Sequence, residues 1–127
     1  MAVDMAIVVS GVSTDSGKVV ENLFHPFAAE VATSNGDWVT ALGWQSLIAD
    51  VTIATTATVD LRGSNAATEP ANSAHGFELK TALTATGIFE LEAFEMPRYV
   101  KIRISSWASG NVDVDMKVRA LVMDILG

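Results

Sequence analysis

The chain has no cysteine, which removes disulfides, thiolate nucleophiles and cysteine-based zinc sites together and leaves the fold to packing alone. Basic residues are also scarce, with 8 Lys and Arg against 15 Asp and Glu and a formal charge of −7. Recognition of phosphates needs clustered cations, so no nucleic-acid partner is expected. Long apolar runs are missing too: nothing approaches the roughly 18–20 consecutive apolar residues of a membrane helix, and no membrane association is expected. The opening stretch MAVDMAIVVSG is apolar but short, lacks a basic flank and carries Asp4, so it reads as a strand and not as a targeting segment. Synthesis in the cytoplasm is expected, with exit only in or on a larger particle.

What is abundant is apolar and β-forming. The 127 residues, enough for one domain with a real core, are 50% hydrophobic and only 18% charged, with Ala, Val and Thr prominent. That balance is apolar for an isolated chain and predicts that other chains cover part of its surface.

The most regular stretch is RYVKIRISSWASGNVDVDMKVRA, residues 98 to 120. Val100, Ile102 and Ile104 alternate with Lys101 and Arg103; Val112, Val114, Met116 and Val118 alternate with Asp113, Asp115, Lys117 and Arg119. A period of two is the mark of a half-buried strand. With Ser, Gly and Asn between them, the two strands predict an antiparallel hairpin whose outward Lys101 and Arg103 lie beside Asp113 and Asp115 on a solvated face. Shorter segments of the same kind occur at residues 6–10, 37–42, 50–64 (two strands), 76–83 and 87–94. None has a sustained helical period, and together they predict one antiparallel β-sandwich of about seven to nine strands. Residues 37–127 form its core, and residues 1–36 read as an extended N-terminal arm and connection. Within 19–36 the pattern fits either a strand with a loop or a short helix at PFAAEVA, where Pro26 suits a first turn. Residues 63–76, small, polar and punctuated by Pro70 and Gly76, read as a long loop.

Catalytic signatures do not emerge. A nucleophile elbow, a dinucleotide fingerprint and a zincin helix are absent from the sequence. The stretch STDSGK at Ser13 to Lys18 lacks the first glycine of a phosphate loop and the hydroxyl residue after the lysine, so it reads as a turn. His25 and His75 have no Ser, Cys or acid at a suggestive spacing. The reading is non-enzymatic, with no cofactor and no metal. Apolar side chains outside the clean strands are the candidate interface residues: Leu23, Phe24 and Phe27 in NLFHPF, with Trp44 and Trp107 near strand ends. If NLFHPF reaches outward its side chains anchor on a neighbouring subunit; if it folds back they cap the core.

From Trp38 to Val118 the chain resembles small β-sandwich proteins of tailed-bacteriophage virions. The matching residues are Val59, Leu61, Gly63 and Ser64, then Arg98, Tyr99, Val100, Ile102, Arg103 and Ile104, then Gly110, Val112 and Val114. The resemblance implies a jelly-roll-like sandwich acting as a capsid decoration protein on the virion exterior, commonly a homotrimer, with the major capsid protein as partner. A neck or tail component is the nearby alternative. A carbohydrate-binding sandwich, with a shallow site at Trp44 or Trp107, is the competing reading from a different class.

Overall fold

The computed structural model describes residues 5–14 and 17–122, with side chains from 19 to 121. Nine strands and one short 3-10 turn make up these residues: β1 Met5–Thr14, β2 Gly17–Glu30, β3 Val39–Thr40, β4 Ser46–Ile53, β5 Thr56–Ser64, β6 Phe77–Glu78, β7 Gly87–Leu91, the turn Ala93–Glu95, β8 Tyr99–Ser109 and β9 Val112–Val122. They form an antiparallel β-sandwich. One sheet has the order β1-β2-β9-β4-β7 and the other β3-β8-β5-β6.

The pairing follows a simple rule. After β1, strand 2 pairs with 9, 3 with 8, 4 with 7 and 5 with 6, all antiparallel. This is one long two-legged ribbon, folded back between β5 and β6 and rolled so that successive segments alternate between sheets, which is the jelly-roll arrangement. β1 adds a fifth strand to the first sheet by pairing with β2.

The alternating pattern supplies the interior. Leu47, Ala49 and Val51 of β4, Val59 and Leu61 of β5, Phe89 and Leu91 of β7, Val100, Ile102 and Ile104 of β8, and Val112, Val114, Met116 and Val118 of β9 are all buried in one cluster. Each fully buried side chain of this size contributes about 1.5–3 kcal/mol relative to exposure.

Three expectations change. Residues 98–120 are not a hairpin: β8 pairs with β5 and β9 with β2 and β4, in opposite sheets. The polar turn at Gly110–Asn111 is where one leg of the ribbon bends across the sandwich. It lies against the bend between β4 and β5, the strands that neighbour β9 and β8, with the Ala54 amide donating to Asn111 O at 3.0 Å. Alternation fixes which face of a strand is apolar, but not which strand it pairs with.

Residues 19–30 contain no helix. They belong to β2, whose pairing with β9 slips between Phe24 and Phe27 and again between Phe27 and Glu30. Pro26, which has no amide to give to a ladder, falls in the first irregularity. At the second, Ala29 takes a positive φ of 49° and its amide donates instead to the Asp113 carboxylate at 2.8 Å. The segment read as an arm is therefore, from Gly17 on, integral to the first sheet.

Finally, three expected strands are shorter. Residues 37–42 keep only β3, residues 76–83 only β6 and a single bridge of Leu83 to Val59, and residues 87–94 end as β7 before the 3-10 turn.

The crossing bend depends on Gly110, whose φ is +84°; a Cβ there would sit 2.4 Å from Thr55 Oγ1 and 2.8 Å from the Thr55 amide nitrogen. Gly110→Ala is expected to destabilise the fold by about 2–4 kcal/mol through the strained φ and this clash. Urea denaturation would show it as a lower midpoint at unchanged slope.

Candidate functional site

The outer face of the β3-β8-β5-β6 sheet is covered, not solvated. Loop 65–76 lies across it, pinned to a group of charged and aromatic side chains that project from β8, β5 and the approach to β3. Lys101 is 0% exposed. Its Nζ donates to Asn72 O at 2.8 Å and Ala74 O at 2.7 Å, and lies 3.1 Å from His75 Nδ1. Three acceptors match the three protons of an ammonium group. The cation also stands 4.9 Å from the Trp38 ring centroid.

The loop is tied elsewhere too. Trp38 Nε1 donates to Ala71 O at 3.0 Å, Arg62 Nε to His75 O at 2.9 Å, and Asn72 Nδ2 to Asp37 Oδ1 at 2.9 Å. Where the loop returns, Gly76 (φ +55°) passes so close to β5 that a Cβ would lie 2.0 Å from Gly63 O.

Beneath the loop, Asp60 of β5 is buried and receives a two-pronged contact from Arg103 of β8, at 3.1 and 2.7 Å. This corrects the expected charge pairing. Lys101 and Arg103 meet loop carbonyls and Asp60, because β5 is the strand beside β8. Asp113 and Asp115 lie in the other sheet, where Asp113 accepts from the Ala29 amide and Asp115 pairs with His25.

The electrostatics follow from this crowding. Burial first, and then the Arg103 charge, hold Lys101 below the ordinary lysine range, with Asp60 and Asp37 acting in the other direction. The Asp60 carboxylate raises Arg103. Burial and the cations Lys101, Arg103 and Arg62 hold the His75 imidazole below its ordinary 6.5, against the opposing pull of Asp60. A neutral His75 with an unprotonated Nδ1 is what the contact from Lys101 requires.

The candidate interface residues separate into groups. Phe24 and Phe27 are buried, 5% and 2% exposed, and cap the core; as members of the sandwich interior they are not free to anchor on a neighbouring subunit. Leu23, one residue out of phase, is half-buried on the opposite, outer face of the β1-β2-β9-β4-β7 sheet. Trp44, in the turn before β4, and Trp107, late in β8, both pack partly against the core. The Trp107 indole donates to Gly110 O at 2.7 Å, bracing the crossing bend. The structure thus does not gather the five into one site.

A surface that the sequence reading missed lies around Leu23. Register places Leu23, Lys117, Ile48 and Glu90 in one row across four strands, and Asp115, Asp50 and Ile88 in a neighbouring row. Ile48 and Ile88 are exposed, and a depression of about 250 Å³ lies between Leu23, His25, Ile48 and Asp115. The strand assignments carried this signal only once β2, β9, β4 and β7 were known to be neighbours. Phe94, at the 3-10 turn, is 85% exposed and Leu42 62%. Among the described residues no group of three His, Cys, Asp or Glu side chains could hold a metal ion. The stretch Ser13 to Lys18 includes residues 15 and 16, which lie outside the described set.

These features define a jelly-roll β-sandwich with a lysine-anchored surface loop. No protein-family model matches the chain, and no curated protein matches it. Among solved structures it is similar in fold to the SPBc2 prophage-derived protein YomS, with a TM-score of 0.56 at 13% identity, over 80% of this chain and 95% of YomS. Weaker likenesses, with TM-scores of 0.30 and 0.32 at 10% identity, are to CapF in complex with 3-isopropenyl-tropolone and to the capsular polysaccharide assembling protein CapF of Staphylococcus aureus. This chain spans about a third of the CapF length.

Two outcomes test the lysine anchor. Lys101→Met strips the loop carbonyls of Asn72 and Ala74 of their donor and is expected to cost about 2–4 kcal/mol. Urea denaturation reads the loss, and amide hydrogen exchange of residues 71–76 is expected to accelerate. The second outcome concerns pH. Because the folded state holds His75 below its ordinary pKa, its contribution is intact above 6.5 and is lost as pH falls through the lower folded value. The melting temperature is expected to drop on acidification below pH 6.5, and His75→Gln, which keeps an acceptor but cannot titrate, is expected to flatten that part of the profile.

Proposed function

We propose that the chain is a non-enzymatic structural protein of a bacteriophage particle, and more specifically a capsid decoration protein that binds the major capsid shell from outside, as a homotrimer. The observation that carries this reading is the fold correspondence with the prophage-derived YomS over 95% of that protein and 80% of this one. A match that spans nearly all of a small partner concerns the whole unit, not a shared fragment. The virion-protein resemblance of residues 38–118 points the same way.

The surface suits such a role. On the outer face of the five-stranded sheet, Leu23, Ile48 and Ile88 stand among Asp50, Asp115 and Lys117, a mixture of apolar contact area and charges that can fix register against a partner. A decoration protein acts by mass action: it binds the assembled shell and not the dissociated subunits, so each bound copy shifts the balance toward the intact particle.

The copy number of this chain in purified particles from its source, measured by quantitative mass spectrometry against the major shell protein, tests the proposal. Near-stoichiometric copies are expected for a lattice-wide decoration protein. A few copies per particle would replace the decoration role with a vertex, neck or tail position, and absence from particles would overturn the virion reading altogether.

A further inference from the structure

The two sheets end at four strands, and three of these edges are guarded. β3 and β6, the ends of the four-stranded sheet, are two residues long, and β7, one end of the five-stranded sheet, has five residues with Glu90 among them. Shortness and charge are the usual means of keeping an open edge from pairing with another chain. β1, the remaining end, has neither. Met5–Thr14 is ten residues long and contains no charged residue and no proline. Every other strand of more than two residues contains at least one Asp, Glu, Lys or Arg. The pairing of β1 with β2 runs in unbroken register from Met5 to Ser10, and an irregularity that could turn the edge away comes only after Ser10. MAIVVS is thus an uncharged segment, half of it β-branched, on a strand whose second row of backbone donors and acceptors has no partner among the described residues.

Topology selects what pairs with it. The order β1-β2-β9-β4-β7 is antiparallel at every step, so β1 and β7 run in the same direction. Two copies laid edge to edge, with their four-stranded sheets on the same side, can therefore extend the five-stranded sheet from β1 in two ways. β1 against β7 is parallel and sets a long strand against a short one. β1 against β1, across a two-fold axis normal to the sheet, is antiparallel, which is the more stable pairing, and matches strands of equal length. Charge points the same way. At a formal −7 two copies repel each other, and β1 brings no carboxylate of its own to the contact.

We infer that the chain self-associates through β1, two copies pairing antiparallel along Met5–Ser10 so that their five-stranded sheets join into one. The contact consists mainly of backbone hydrogen bonds and covers little side-chain surface, which places it among small interfaces, with a dissociation constant of about 1–100 μM. The inference goes beyond the virion role and does not rest on it. The pairing is two-fold and forms in the free chain, whereas the proposed trimer needs a separate, three-fold contact.

Sedimentation velocity of the full chain from about 1 to 500 μM, a range that brackets this affinity, is the test. A reversible monomer–dimer equilibrium is expected. Hydrogen exchange read by mass spectrometry is expected to show residues 5–10 gaining protection as concentration rises, while the β7 edge, residues 87–91, stays unchanged. Val8→Lys is expected to weaken dimerisation at least tenfold, because it sets a cation on each of the two paired strands. Position 8 stands opposite Glu21 on β2, so the same lysine has an acid beside it within its own copy. If that variant fails to fold, the exchange pattern of the unsubstituted chain decides alone. A chain that stays monomeric, assemblies of three chains only, a dimer that Val8→Lys leaves intact, or protection gained at 87–91 and not at 5–10 would overturn the assignment.

Discussion

Both legs of a paired ribbon must bend at the same level if two apolar sheet faces are to meet, and the structure depends on that constraint. β2, β4, β5, β7, β8 and β9 each have one apolar face, and a flat ribbon of such strands would leave all of it wet. Rolling the ribbon brings the faces together, but the segments that cross between sheets must then lie side by side. The bend after β4 and the approach to β7 do so, with the Ile53 amide donating to Thr86 Oγ1 at 3.0 Å. Near the other end of the sandwich the turn after β3 and the approach to β8 are likewise bonded, Ala41 to Arg98 at 2.8 Å.

Rolling also decides which charges meet. Asp60 and Arg103 are directly opposed on β5 and β8, as are Arg62 and Lys101. The outer face of that sheet consequently carries three cations, Arg62, Lys101 and Arg103, against two carboxylates, Asp60 and Glu78, a surplus that water would ordinarily screen. Here a loop of carbonyl oxygens covers it instead, and the Lys101 ammonium becomes an internal anchor whose three protons are all used. The loop's irregular backbone is ordered by side chains of the sheet it crosses, so its conformation belongs to the tertiary structure and not to its own sequence.

The two faces of the molecule divide the work differently. The covered sheet is committed to internal structure, with its charges paired and its loop tied down. The five-stranded sheet leaves Ile48 and Ile88 exposed and Leu23 half-buried among charges.

Alternation of apolar and polar residues determined, from sequence alone, that the chain is all-β, where most strands run, and that Val100, Ile102, Ile104, Val112, Val114, Met116 and Val118 face the core. That information is local, because a strand's two faces follow from its own backbone pleat. Strand partners were not legible. Hydrogen bonding between strands uses backbone groups that every residue carries, so Gly110 and Asn111 looked like a hairpin turn although they bend a ribbon between sheets. The same limit hid the burial of Lys101, which reads as a solvent-facing strand residue until a loop some thirty residues earlier in the chain is laid over it.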